Sequence, residues 1–253
     1  MRTEPLVTED STDRRVTVHC MVRDEYPTVV YAVMSVLAHA DKMLIVDTGS
    51  VDSTRQWLWD LSQRHPDKID LEYRDDIPDS TDWRFHRYNM PNRRLSNLRL
   101  EMIDKTQTPF IWILDGDEVY RDITCQQVRE LIDKWPDGKR AAYIPLLWFA
   151  NDIYSLARTE PGTYPFTGRI FLSEGLRIHG AFPGEMHTYR GQDLGYRSPL
   201  TFDARWMEPF HHYEMVTKPW RRRLLGTVPY DGPQPEVFER LTSSNGKRKR
   251  RRA

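Results

Sequence analysis

The sequence predicts an α/β fold built on a wound, mostly parallel sheet, and three observations lead there. Apolar runs rich in β-branched residues alternate with segments of helical periodicity as far as Lys134. Two of those runs close on aspartates, Asp47 and Asp115, at the strand ends where such sheets bind ligands. Beyond residue 140 the alternation loosens into strand-like segments between Pro- and Gly-rich loops, which implies a smaller, partly antiparallel region.

Residues 16–22, VTVHCMV, read as the first strand, because β-branched side chains suit a pleated surface buried on both faces. Val29, Val33, Val36 and Leu37 recur at helical spacing across residues 28–39. KMLIVDTGSVDST then supplies a buried strand, residues 43–46, that ends at Asp47 and turns through Gly49 into a helix faced by Trp57, Leu58 and Leu61. IDLEY, residues 69–73, is a third strand. After a polar stretch, Leu95, Leu98, Met102 and Ile103 line one side of a helix from about Leu95 to Lys105. FIWIL, residues 110–114, is the fourth strand and runs directly into DGDE. Thr124 and Gln127 have the spacing of a capping box, which predicts a helix opening there and running to Lys134. Residues 141–149 and 168–172 read as later strands. From Pro229 on, prolines and a Ser/Asn/Gly stretch lead into a tail of which little need be ordered.

This reading divides the 253 residues into an N-terminal extension (1–15), a first half-domain (16–138), a second half of the same domain (139–228) and a flexible basic tail (229–253). Cys20 and Cys125 lie in apolar surroundings without metal or redox spacing, so reduced, buried thiols in a cytoplasmic setting are expected. The longest apolar run, residues 141–150, is about half a membrane span and contains Pro145, so a soluble chain without a membrane span is expected. The formal net charge of zero conceals an asymmetry: Lys247 to Arg252 are all basic, leaving the body mildly acidic. Such a tail is most simply a solvated arm; its functional reading is an anion-binding arm for nucleic acid.

LDGDE carries the sharpest chemical signal. Asp-Gly is a hairpin-turn signal in its own right. At a strand end, however, Asp115 and Asp117 suit a hard divalent cation, Mg2+ or Mn2+, clamped by carboxylate oxygens while phosphates complete its shell. Gly116 allows backbone and ligand to approach closely.

VDTGSVDST and LDGDE together resemble the motifs of the family 2 glycosyltransferases, enzymes of the GT-A fold with a Rossmann-like, mostly parallel sheet, helices on both faces and a smaller antiparallel acceptor-side region. MVRDE, residues 21–25, is similar to that family's opening strand-to-helix turn, and GRIFLSEGLRIHGAFPGEMH to its acceptor-side strand pair. The resemblance implies that Asp47 contacts the base of a nucleotide-sugar donor, with UDP-sugars favoured. It implies further that Asp115 contacts ribose or sugar and that Asp117 holds Mn2+ or Mg2+ on the diphosphate. Arg94, Asn97 and Arg169 become donor-binding candidates, the Arg94–Asn97 spacing being stretched by about one helical turn. His211 and His212 are candidate metal ligands. Glu185 is the candidate general base for an inverting transfer, and Glu25, Glu118 and His187 are further candidates. Thr48 and Ser53 depart from the family pattern. The Gln-x-x-Arg-Trp motif of processive synthases is absent, which favours transfer of a single sugar.

Two other classes share some of these features. IWILDGDEV fits the nucleophile string of haloacid dehalogenase-type phosphatases, although that motif belongs on a first strand rather than a fourth. A non-catalytic module recognising sugar or nucleic acid is the other alternative. For the acceptor, residues 83–99 carry five arginines, three aromatics and no acid, a combination suited to stacking on bases and pairing with phosphates. With the basic tail, they point to a hydroxymethylated base in DNA. A glycan, lipid-linked sugar or protein hydroxyl is the alternative acceptor.

Overall fold

A computed structural model describes residues 12–77, 93–150, 155–157, 166–179, 186–213, 227–230 and 232–238. The first half runs β1 (Val16–Val22), α1 (Thr28–Val36), β2 (Lys42–Asp47), α2 (Thr54–Arg64), β3 (Ile69–Tyr73), α3 (Arg93–Lys105), β4 (Phe110–Asp115), β5 (Glu118–Val119) and α4 (Asp122–Asp133). The described strands of the second half are β6 (Ala141–Ala150), β7 (Ser155–Ala157), β8 (Phe166–Leu172), β9 (Leu176–His179), β10 (Met186–Tyr189), β11 (Gln192–Asp193), β12 (Thr201–Asp203), β13 (Phe210–Tyr213) and β14 (Thr227–Pro229).

Strands β3, β2, β1 and β4 lie side by side and parallel. The chain therefore winds outward from β1 in one direction and then returns to its other side at β4. That reversal opens a crevice beyond the carboxyl ends of β1 and β4. β8 adds antiparallel to β4 and β6 antiparallel to β8. β12 and β13 pair parallel to β6, and β13 also pairs antiparallel to β5. β9, β10 and β11 form a separate antiparallel sheet among the described residues. The mostly parallel sheet with an antiparallel second region is the expected architecture.

Alternation along the strands builds a core on each face. Val18, Cys20, Met43 and Ile45 point to one side, where they meet Val29 and Val33 of α1, Leu58 and Leu61 of α2, and Val128 and Leu131 of α4. Leu44 and Val46 point to the other, under Leu95, Leu98 and Met102 of α3. Ile111 and Ile113 continue that second face against Leu176, Ile178 and Leu194. Period-two strands sandwiched by period-3.6 helices thus bury both faces of the sheet.

Two sequence expectations need correction. α4 begins at Asp122, with Arg121 at its N-cap and no side-chain cap bond, so Thr124 and Gln127 form no capping box. Both instead tie the helix to the loop before β13: Gln127 accepts from the Glu208 amide at 2.7 Å and the Thr124 hydroxyl faces the Pro209 carbonyl at 3.5 Å. Beyond Pro229 the chain also returns to the core. Val237 is buried with Val119, Phe149 and Tyr213, and the Phe238 ring packs 4.6 Å from Tyr31.

Candidate active site

The loops after β1 and β2 are laced together by the polar residues of DTGSVDST. The Asp24 carboxylate accepts from the Val51 and Asp52 amides at 2.6 and 3.2 Å. Ser50 and Thr54 hydroxyls accept from the amides of Asp24 and Glu25, each at 3.0 Å. Thr48 donates to the Val22 carbonyl. Gly49, at φ +103°, makes the turn that only glycine adopts without strain. Much of this motif is therefore loop scaffolding.

Asp47 is the exception. It is fully buried, and its Oδ1 accepts from the Gly49 and Ser50 amides, both at 2.8 Å. Its Oδ2 is buried and has no hydrogen-bond partner among the described residues. Leaving a buried acceptor unsatisfied costs about 1–3 kcal/mol, so such an atom calls for an explanation. Arg55, whose guanidinium stacks on Tyr73 at 4.6 Å and pairs with Asp75, comes within 3.9 Å of Oδ1.

In register, β1 places Val22 beside Asp47 and Met21 beside Asp115. The two aspartates thus flank one strand at its carboxyl end, about 10 Å apart by strand spacing. Next to Asp115, Gly116 leaves no room for a side chain: a Cβ there would lie 2.1 Å from Glu25 Oε2 and 2.9 Å from Val22 Cγ1. Glycine at this position lets the loop after β4 press against the loop after β1.

The three acids of DGDE occupy different environments. Asp115, with a side chain 35% exposed, accepts from Arg169 Nη2 at 2.9 Å, and Arg99 Nη2 lies 3.7 Å from its other oxygen. Burial pushes its pKa up, but the guanidiniums of Arg169 and Arg99 outweigh that, and the net shift is downward. Glu118 is fully buried, pairs with the same Arg169 and accepts from the Asp115 amide at 3.2 Å. Burial pushes its carboxyl up to about 7 against the pull of Arg169. Asp117 is also buried, with Oδ1 3.3 Å from His212 Nε2. Asp115 and Glu118 are thus spared mutual repulsion largely by Arg169, which the sequence suggested as a donor contact and the structure places between them.

Other candidates are sorted by the strand pattern. β13 lies between β5 and β6, which sets His212 beside Glu118 and Trp148. His211 points the opposite way, as consecutive strand residues must. It is buried beside Phe149 and Tyr230, with Nδ1 3.1 Å from the Tyr213 hydroxyl and its pKa lowered by burial to about 3. It therefore does not join Asp117. His187 stacks on Phe171 at 4.5 Å and is lowered by burial, aided by Arg99 and Arg169, to about 3. Asn97 is exposed on α3, while Arg94 lies on the same helix with its side chain outside the described residues. Among the described side chains of that helix, Arg99, about one turn farther along, reaches Asp115; the stretched Arg–Asn spacing was the available signal. Glu185 lies outside the described residues, as do the tail and residues 83–92. A hollow of about 340 Å3, lined by Phe110, Trp135 and Arg140 among others, sits at the far end of the sheet and contains none of these acids.

Among the described residues, no group of three or more His, Cys, Asp or Glu side chains is arranged to hold a metal ion. A buried carboxylate such as Asp117 nonetheless fits a Mg2+- or Mn2+-type ion, which takes one or two carboxylates and fills its shell from substrate phosphates. No helix among the described residues is long and apolar enough to cross a membrane.

Comparison with known proteins places the chain. Among solved structures, it is similar to residues 1–349 of TarS from S. aureus, at 13% identity and TM-score 0.40 over 63% of this chain and 47% of that one. It is also similar to the mannosyltransferase PcManGT from Pyrobaculum calidifontis, in complex with GDP-Man and Mn2+, at 16% identity and TM-score 0.39 over 54% and 38%. Glucosyl-3-phosphoglycerate synthase from Mycobacterium tuberculosis, in complex with Mn2+, UDP and phosphoglyceric acid, matches at 11% identity and TM-score 0.37 over 53% and 43%. The match spans less than half the length of each of these three structures. No protein of curated function matches the chain. The sequence model described as Glycosyl transferase family 2 matches residues 17–144, just over half of the chain and the whole span from β1 into β6 that carries Asp47, Asp115 and Asp117, and the chain belongs to that family.

Proposed function

We propose that the chain transfers one sugar from a nucleoside diphosphate donor, by preference a UDP-sugar, to an acceptor hydroxyl with inversion. The observation that carries the reading is the buried, unsatisfied Asp47 Oδ2 at the end of β2, flanking β1 opposite the Asp115–Asp117 loop. A uracil presents an N–H donor that such an oxygen accepts. A nucleoside diphosphate spans the distance from there to the acids. Family membership supports the same chemistry and leaves the phosphatase reading without support.

In this reading Arg169 fixes the Asp115 carboxylate for the donor's ribose or sugar hydroxyls. Arg99, only 13% exposed, places positive charge where the diphosphate would lie. Asp117 would hold Mn2+ or Mg2+, which when bound supplies Lewis-acid stabilisation of the leaving diphosphate. Glu185 is proposed to accept the proton of the attacking hydroxyl. Residues 83–99 and the basic tail support a hydroxymethylated base in DNA as the acceptor, by their arginines and aromatics. Cys20 and Cys125, buried as thiols, accord with a cytoplasmic setting.

The test is a donor screen with Mn2+ present, measuring nucleoside diphosphate release alone, with hydroxymethylated DNA and with simple glycans. Asp117→Asn and Asp117→Ala should lower metal-dependent release by about a hundredfold or more, with normal melting of the Asn variant. Native release rates in a folded Asp117→Asn variant would show the site assignment to be wrong. Stimulation by glycans but not DNA, or full DNA stimulation after deletion of residues 245–253, would remove the corresponding part of the acceptor reading.

A further inference from the structure

We propose that Trp148 holds His212 as a hydrogen-bond donor toward Asp117, so that this histidine positions the carboxylate and does not ligate a metal ion through Nε2. Only the relevance to a metal-bound donor rests on the functional reading above; the proton placement stands on geometry. Trp148 and His212 are register partners on the parallel strands β6 and β13. The indole Nε1–H donates to His212 Nδ1 at 2.7 Å. An indole nitrogen can only donate, so Nδ1 must present its lone pair and carries no proton. An imidazole unprotonated at Nδ1 carries its hydrogen on Nε2. That atom lies 3.3 Å from Asp117 Oδ1, where an N–H is an apt donor to a carboxylate.

The polarity is opposite to that of a metal-bound histidine. There one ring nitrogen gives its lone pair to the metal and the other donates its N–H to a carboxylate, carbonyl or water. Here the second nitrogen accepts, and Nε2 has no lone pair left to give. His212 is only 12% exposed and is fixed between β5 and β6, so the strand pairing holds the ring in this arrangement. Trp148 is thus a positioning residue acting through His212. The protein's contribution to a cation would then come from carboxylate oxygen rather than from an imidazole.

The experiment uses the full chain labelled with 15N-histidine, first without metal. Long-range 1H–15N correlation reads the tautomer of His212, assigned as the signal missing from His212→Gln. The expected result is a single Nε2–H form in the native chain and loss of that preference, with exchange between both tautomers, in Trp148→Phe. A native Nδ1–H form would overturn the proposal, as would a Trp148→Phe spectrum identical to native. Pulsed EPR of the chain with Mn2+ and UDP supplies a second readout. Expected is no directly bonded imidazole 14N coupling; such a coupling that disappears in His212→Gln would overturn the proposal. Failure of Mn2+ and UDP to bind at all would instead count against the donor-site reading, leaving the tautomer result to decide this one.

Discussion

Replacing Arg169 by Met leaves two acids without their shared partner, and the structure sets the size of the effect. The guanidinium is 12% exposed and bridges Asp115, 35% exposed, to Glu118, fully buried. Solvent screens part of the Asp115 loss, so most of the cost falls on Glu118. Removing one member of a buried ion pair costs about 3–5 kcal/mol. Burial already raises the Glu118 carboxyl to about 7 against the pull of Arg169, and without the arginine it rises further. The folded state then holds a proton that the unfolded chain releases above its ordinary pKa near 4.5. Stability accordingly falls as pH rises through this window, by up to about 1.4 kcal/mol per pH unit. Arg169→Met should therefore cost about 3 kcal/mol at pH 8 and distinctly less at pH 6. Glu118→Gln, which fixes the neutral form, should recover a large share in the double variant. Urea denaturation of the four proteins of this cycle at both pH values reads all of it. A loss below about 1 kcal/mol at pH 8, or strict additivity of the two substitutions, would refute the assignment of Arg169 as the clamp of these acids.

Three further outcomes follow from the same site and core. Gly116→Ala puts a Cβ against Glu25 and Val22 and should cost about 1–3 kcal/mol in denaturant melts, with Glu25→Ala relieving only part because Val22 is packed. Asp47→Asn keeps one oxygen for the Gly49 and Ser50 amides but exchanges the unsatisfied acceptor for a donor; UDP affinity by calorimetry should fall about tenfold with little change in melting. His19 and His211 are held neutral by burial, with pKa values lowered to about 3, so the unfolded state binds more protons between there and 6.5. Stability should rise with pH across that window, by up to about 1.4 kcal/mol per unit for each histidine. His211→Leu should flatten that limb of the pH–stability curve; an unchanged slope would mean that His211 is not buried neutral.

The sequence by itself determined the strands of the parallel sheet and the aspartates that end two of them, because strand and helix periodicities are local and a strand-end acid is visible as a break in an apolar run. Asp47 is legible for the same reason, whereas the sequence pointed to Arg94 and Asn97 and missed Arg99, which the structure sets beside Asp115. Tertiary structure decided what each acid faces. Arg169 lies on β8, more than fifty residues beyond Asp115, and only the antiparallel pairing of β8 with β4 brings its charge between Asp115 and Glu118. Adjacent in the sequence, His211 and His212 are indistinguishable as ligands. The insertion of β13 between β5 and β6 sends one into an aromatic core and the other to Asp117. The capping-box spacing of Thr124 and Gln127 likewise yielded to contacts with residues 208 and 209, since a loop packed against a helix can outbid a local cap for the same side chains. Local pattern sets which residues can be strand-end acids; long-range pairing sets their partners, and in a buried site the partner determines charge, proton and role.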